Sequence, residues 1–280
     1  MNADLVRGLA LVLYILAAVG FLVFLVRESE PARQGATVLL SAGFAAQTVF
    51  LILGTLKVSQ LPVLSLSQAL GFSGWALVGV YLAVSLRFRL GVLGACVTPL
   101  AAVLVLVSAL SPSRPAEAGP IFQGLWLSAH LVTAFIGYGF LALSFLAGVL
   151  YLLQEHEIKA KRTGGVYRRL PSLGTLDELN QTSLTLGFAL ITAGIVTGAV
   201  YAQAALGSYW RWDPKEVWAF ITWLVYAGLI HQRVTVGWRG RRAAILSIVG
   251  FAVLCFTFLG VSHFLAGYHS FANFERLEMK

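Results

Sequence analysis

Charge is what this sequence lacks. Only 11% of its 280 residues are Asp, Glu, Lys or Arg, and 58% are hydrophobic, against about 25% and 45–50% in an ordinary soluble domain. A soluble fold is excluded, because too few charges are present to cover its surface. Eight stretches of 16 or more residues carry no charged side chain, and the longest, Ala118 to Gln154, runs 37 residues. About 20 apolar residues cross a bilayer as a helix, so the expected fold is all-α: a polytopic membrane protein forming one domain over residues 1–280, with no large domain outside the membrane. Cysteine is also scarce. Cys96 and Cys255 both lie inside apolar runs, which excludes a disulfide framework and a CxxC metal or redox motif. No Asp or Glu falls deep within a span, which argues against ion-coupled transport.

Breaks at charged, Pro or Gly positions predict eight spans, near Gly8–Val26, Gln34–Leu56, Ala69–Leu86, Leu90–Leu110, Gln123–Gln154, Gln181–Ala205, Pro214–Gln232 and Ala243–Ala266. The first run is too long for the apolar core of a signal peptide and is followed at once by Arg27 and Glu28, so it reads as a retained anchor. Net charge of +8 would suggest nucleic acid in a soluble protein, whereas here it follows from the basic loops of insertion topology. Thirteen of the 20 Lys and Arg residues lie on one set of alternate loops. Those loops are expected to be cytoplasmic, placing both termini and the 206–213 segment outside. The connection Glu155–Asn180 mixes both signs with Gly164, Gly165 and Pro171 and reads as a solvated linker.

Tryptophan is crowded into one place. Four of the seven fall between Trp210 and Trp223, in GSYWRWDPKEVWAFITW. An interfacial aromatic belt would account for some of this, but the segment also carries a helix start: Asp213 as N-cap, Pro214 at the first helical position, and Glu216 spaced for a capping box. Trp218 and Trp223 are five residues apart and therefore belong to different helix faces. Tyr209, Trp210 and Trp212 precede the helix, interspersed with Arg211 and followed by Lys215. Such a surface suits a large planar apolar ligand bearing carboxylates, a description that haem meets.

Of the five histidines, His156 lies in the linker and His231 at a helix C-terminus, where a cation is favoured. His130 is placed inside the fifth span, where an ionisable side chain marks a site by default. His269, in AGYHSF, follows the eighth span, and His263 lies one and a half turns earlier. Neutral imidazole is a common axial ligand of haem iron, so His130 and His269 are candidate metal ligands.

The stretch GSYWRWDPKEVWAFITWLVYAGLIHQR resembles the "WWD" segment of the CcsA/ResC cytochrome c biogenesis proteins, members of the haem-handling membrane superfamily. The likeness extends through QLPVLSLSQALGFSGW, WLSAHLVTAFIGYG around His130 and GYHSF around His269. It implies that His130 and His269 are the external haem ligands flanking the WWD segment (about 206–223), with Trp210, Trp212, Trp218 and Trp223 holding the porphyrin and Asp213 beside it. It implies handling of haem b as substrate and its covalent attachment to the CxxCH motif of apocytochrome c, as part of a holocytochrome c synthase of the haem lyase type. A ResB/CcsB-type partner and a bacterial inner membrane are implied with it. Length and span number fit the unfused CcsA form better than the six-span CcmC type or the longer CcmF type. The family commonly has a histidine in the inner half of the third span; Tyr81 stands roughly there, and tyrosine too can ligate haem iron. Two other classes stay open on the residues alone: an electron-transfer cytochrome b and a small-solute transporter.

Overall fold

The computed structural model describes residues 3–58, 61, 63, 65–88, 91–111, 124–161 and 169–261. Among these it is helical, without strands. Eight helices follow in order: α1 (Ala3–Arg27), α2 (Glu30–Val58), α3 (Leu66–Phe88), α4 (Gly91–Leu110), α5 (Leu125–Lys159), α6 (Leu173–Leu206), α7 (Pro214–Val234) and α8 (Arg241–Cys255), the last continuing as a π turn over Phe256–Gly260. All but α7 are long and apolar enough to span a bilayer. α7 falls short in apolarity because its first turn carries Lys215 and Glu216 and its last turn His231 and Arg233. The expected all-α polytopic architecture is what the chain adopts.

Helix starts are written locally. α3 opens with a reciprocal cap in which Ser65 Oγ accepts from Gln68 N at 3.2 Å and Gln68 Oε1 accepts from Ser65 N at 3.3 Å. Two of the donors that a helix N-terminus leaves unsatisfied are thereby met. α6 is capped by Ser172, whose Oγ accepts from Thr175 N at 3.1 Å. This cap starts α6 eight residues ahead of the expected Gln181, and α5 runs on to Lys159. Much of the expected linker is thus helix, and at 1.5 Å per residue the two helices are each about 50 Å long, well beyond the ~30 Å hydrocarbon core.

The helices pack as two groups joined through α3 and α5. In the first group α1 lies against α2 and α4, and α3 against α4; in the second, α5 packs most extensively on α6 and also on α8, and α7 joins α6 and α8. Between membrane helices close contact replaces the hydrophobic driving force, so small residues mark the seams. A Cβ on Gly187 would stand 2.6 Å from the Leu141 side chain, which is why α5 and α6 can close upon each other there. Tyr14, fully buried, donates to Gln47 Oε1 at 2.7 Å, and Gln47 Nε2 donates to Gly71 O at 2.8 Å, tying α1, α2 and α3 together.

At the end of the second group opposite the Trp-rich loop, Arg233 is buried and polar on all sides. It bonds Gln181 Oε1, Asn180 Oδ1 (3.4 Å), Asp177 O (2.9 Å) and Asp177 Oδ2 (2.8 Å). Asp177 Oδ1 in turn accepts from Gly240 N at 2.9 Å, and Asn180 Nδ2 donates to Ser247 Oγ and Ser144 O, both at 2.8 Å. One network therefore gathers α5, α6, α7, α8 and the α7–α8 turn.

Candidate functional site at the Trp-rich end

The Trp-rich segment is a short, fixed connection between α6 and α7. Gly207 ends α6 in the left-handed conformation (φ 73°), its N–H on Gln203 O at 3.0 Å, as helix ends favour. Ser208 Oγ then donates to Trp210 O at 2.8 Å. Asp213, buried, caps α7 by accepting from Lys215 N at 2.9 Å. Glu216 departs from the expected capping box, since its Oε2 accepts from Arg211 N at 2.8 Å, two residues ahead of the cap. The acidic side chain thus pins the loop itself. Between these fixings Trp212 is held at φ +59°, a conformation that costs a bulky residue about 1–3 kcal/mol and that collects at functional positions.

The four tryptophans do not form one plate. Trp212 is 77% exposed. It meets Trp210 edge to face at 5.8 Å, and Trp210 meets Phe220 in the same way at 6.2 Å. Phe220 stacks on Trp223 at 5.9 Å and 7°. Trp223 reaches α6, tilted against Phe188 at 5.6 Å and donating from Nε1 to Thr192 Oγ1 at 2.9 Å. Trp218 turns the other way, edge-on to Phe256 of the π turn at 4.7 Å, as the five-residue spacing requires. Trp210 Nε1 is buried and has no hydrogen-bond partner among the described residues. Trp223 and Trp218 therefore fasten α7 to α6 and α8, whereas Trp212, Trp210 and Tyr209 are the aromatic groups presented by the loop.

These placements give opposite expectations for two substitutions. Trp223→Ala is expected to cost about 3–5 kcal/mol of stability, the range for truncating a packed aromatic, while Trp212→Ala should leave the thermal transition of the detergent-solubilised protein unchanged. Equal losses from both would contradict this division of labour.

His130 lies in the second turn of α5, half-buried, with Nδ1 2.7 Å from Gly194 O of α6. A carbonyl can only accept, so Nδ1 is the donor here, and in the neutral ring Nε2 is then the nitrogen with the lone pair, the arrangement that prepares an imidazole to ligate a metal. The close approach depends on Gly198, where a Cβ would be 2.7 Å from Nδ1. Gly194 and Gly198 face α5, whereas Phe188 and Thr192 of the same helix face Trp223. α6 thus stands between the histidine and the tryptophans and locates both at one end of the bundle. The spacing Gly194-x-x-x-Gly198 was the available sign of this seam in the sequence.

The other expected site residues fall elsewhere. Tyr81 is 3% exposed in the core of the first helix group, edge to face with Phe21 at 6.1 Å, its hydroxyl 2.5 Å from where a Cβ of Gly94 would lie. His269 and His263 lie outside the described residues. Sequence reasoning passed over an aromatic cluster joining the two helix groups: Trp75 stacks on Phe44 at 5.5 Å, lies 5.0 Å from Phe72, and donates to Thr48 Oγ1 at 2.8 Å. It continues through Phe135 to Phe258 of the π turn at 5.7 Å. π turns concentrate at functional sites, and this one leads out of α8 beside Trp218.

Residues 63–269 match the family described as Cytochrome C assembly protein. The chain belongs to this family. Relatives of the CcsA type match most of the chain. Cytochrome c biogenesis protein CcsA of Guillardia theta is 35% identical over 81% of this chain and 82% of its own. Its counterpart from Parasynechococcus marenigrum (strain WH8102) is 32% identical over 97% of each, and that of Chlamydomonas reinhardtii is 37% identical over 78% of this chain and 63% of its own. Among solved structures, Cytochrome c Heme Lyase CcmF superposes with a TM-score of 0.66 at 18% identity, over 99% of this chain. This chain spans about half of that protein, 49% of its length, and the likeness is one of fold. The cytochrome c assembly match includes α3 to α8, the whole Trp-rich segment, His130 and, at its last position, His269. The family assignment makes the chain an integral membrane protein of cytochrome c biogenesis.

Proposed function

We propose that this CcsA-type protein holds haem b at the Trp-rich end and presents it for covalent attachment to the CxxCH motif of apocytochrome c, together with a ResB/CcsB-type membrane subunit. The observation that carries the reading is His130: its Nδ1–H is committed to Gly194 O at 2.7 Å, so Nε2 is oriented as an iron ligand by the backbone of a neighbouring helix. His269 is the proposed second ligand. Trp212 and Trp210 supply the aromatic contact to the porphyrin, while Trp218, Trp223 and Asp213 hold the loop and helix that present it. Tyr81, packed in the core against Phe21, is given no part.

The proposed orientation is a bacterial inner membrane with the Trp-rich loop and both termini outside, as the distribution of basic residues favours. In attachment, each cysteine S–H adds across a haem vinyl group, the sulfur bonding to one vinyl carbon and the hydrogen to the other. No general acid or base is demanded of the protein, only that the two partners be held in register, and such positioning can supply a large part of a rate enhancement. A static constellation on helices braced by α6 is suited to that task.

Coexpression with its ResB-type partner and an exported apocytochrome c is the direct test. Covalent haem on the exported acceptor is expected, seen as haem that survives denaturation, and none on the same acceptor retained in the cytoplasm. Attachment to the retained acceptor would invert the orientation; attachment to neither, with both proteins present in the membrane, would overturn the function. In the same system Trp212→Ala should lower haem occupancy without lowering the amount of folded protein.

A further inference from the structure

Across the bundle from His130, at the same Trp-rich end, α1 to α4 enclose a second feature: a cavity of about 90 Å³. The share of liquid volume per water is about 30 Å³, so the space is that of a few waters, far below the 300–1,000 Å³ of a pocket for a whole drug-sized ligand. It can admit one small group. Among the described residues lining it, Arg7 is the single charged one. Its guanidinium lies 5.7 Å from the centre of the Phe50 ring and gives one N–H to Asp4 at 3.2 Å.

Most of the remaining polar wall is engaged within the fold. Gln47 is 3% exposed and fixed between the Tyr14 hydroxyl and Gly71 O, which turns its amide side into the helix cluster. Ser108 is 7% exposed; its carbonyl accepts from Ser67 Oγ at 2.7 Å, while its own hydroxyl has no hydrogen-bond partner among the described residues. The Ser108 Oγ stands 2.7 Å from where a Cβ of Gly71 would be, so glycine at 71 is what leaves room for it. The N-terminus of α3, with its positive end of the helix dipole, opens here too. Phe50, Leu51, Phe72 and Val105 complete the lining. Among the described residues lining this space none is acidic, and the ion pair of Arg7 with Asp4 at 3.2 Å comes from an exposed carboxylate outside the lining.

We propose that this cavity takes the oxyacid head of an anionic amphiphile, with Arg7 as the charge partner, Ser108 as a hydroxyl donor, and the apolar body of the ligand remaining outside. Two sources carry that chemistry: the phosphate of an anionic phospholipid and a carboxylate of the haem substrate. The second rests on the proposed function; the first does not.

The test uses the full-length protein in two arms. In the first, thermal transitions are compared in vesicles of phosphatidylcholine alone and of phosphatidylcholine with phosphatidylglycerol. In the second, binding of haem is compared with binding of haem dimethyl ester. Arg7→Gln removes the charge, Arg7→Lys keeps it, and Ser108→Val fills the cavity while leaving Arg7 in place. A lipid ligand predicts stabilisation by phosphatidylglycerol that Arg7→Gln and Ser108→Val abolish and Arg7→Lys largely retains. A haem carboxylate predicts instead a roughly tenfold weaker binding of the ester, about 1.4 kcal/mol, with the difference vanishing in Arg7→Gln. If neither arm depends on Arg7, the proposal is wrong. Should the protein bind no haem in any form, the lipid arm still decides, so failure of the haem reading and failure of the cavity reading are separate results.

Discussion

His130→Ala is expected to lower haem affinity by tenfold or more, equivalent to at least about 1.4 kcal/mol, and added imidazole is expected to restore it. The vacated position leaves space for a free ring, which needs no helix to carry it. Gly198→Val supplies the complementary test. It leaves His130 in the sequence but brings a side chain into the place where the imidazole lies, since even a Cβ would be 2.7 Å from Nδ1. The ring would have to leave Gly194 O, and with it the fixed tautomer that directs Nε2 outward. Absorbance of the purified protein reads both effects: loss of the bound-haem band in each variant, and its recovery with imidazole in His130→Ala. If both variants keep full haem with an unchanged spectrum, His130 is no ligand and the site lies elsewhere at this end of the bundle.

The two variants also show where sequence reasoning stopped. His130 is legible because a histidine in a charge-free stretch of 37 residues has no inexpensive explanation. What prepares it, the Gly194 carbonyl and the absent side chain at Gly198, belongs to a helix more than 60 positions away, and nothing in the local pattern names that partner. The Asp213-Pro214 helix start was legible for the opposite reason: a cap acts within one turn, so neighbours in sequence are its whole cause. Glu216 fell between these cases. Its spacing fits a capping box, yet the left-handed Trp212 folds the chain back and brings Arg211 N, rather than the cap's own N–H, to its carboxylate. Likewise the tryptophan cluster was visible as composition, but its division into presented rings (Trp212, Trp210) and fastening rings (Trp218, Trp223) depends on which helices flank α7. The segment 173–180 read as linker because its charges resemble a solvated loop; of those charges Asp177 turns out to serve the buried Arg233, while Glu178 pairs with Arg87 of α3 at 2.7 Å.

Arg233 gives the second large effect, at the other end of α7 and of a different kind. Arg233→Ala is expected to destabilise the protein by about 3–5 kcal/mol, the range for breaking a buried ion pair by removing one partner. The lower part of that range applies, because the Asp177 side chain retains 21% exposure against 4% for Arg233, and water can reach the abandoned carboxylate. Asp177→Asn should cost less than Arg233→Ala, since the amide still accepts from Gly240 N and the arginine keeps its contacts to Asn180, Gln181 and the Asp177 carbonyl. Arg233→Lys should resemble Arg233→Ala more than the wild type, because a single ammonium cannot reproduce a planar fork addressing several oxygens at once. The fraction of detergent-solubilised protein surviving a heat step measures all three. α7 is 21 residues long, about 30 Å at 1.5 Å per residue, so the Trp-rich loop lies a membrane's width from this network. Surviving Arg233→Ala protein should therefore bind haem with the wild-type spectrum, in contrast to His130→Ala, which should lose haem and keep its stability. If Arg233→Ala instead altered the haem spectrum while leaving heat resistance intact, α7 would transmit between the two ends, and the network would be part of the haem site rather than the fastening beneath it.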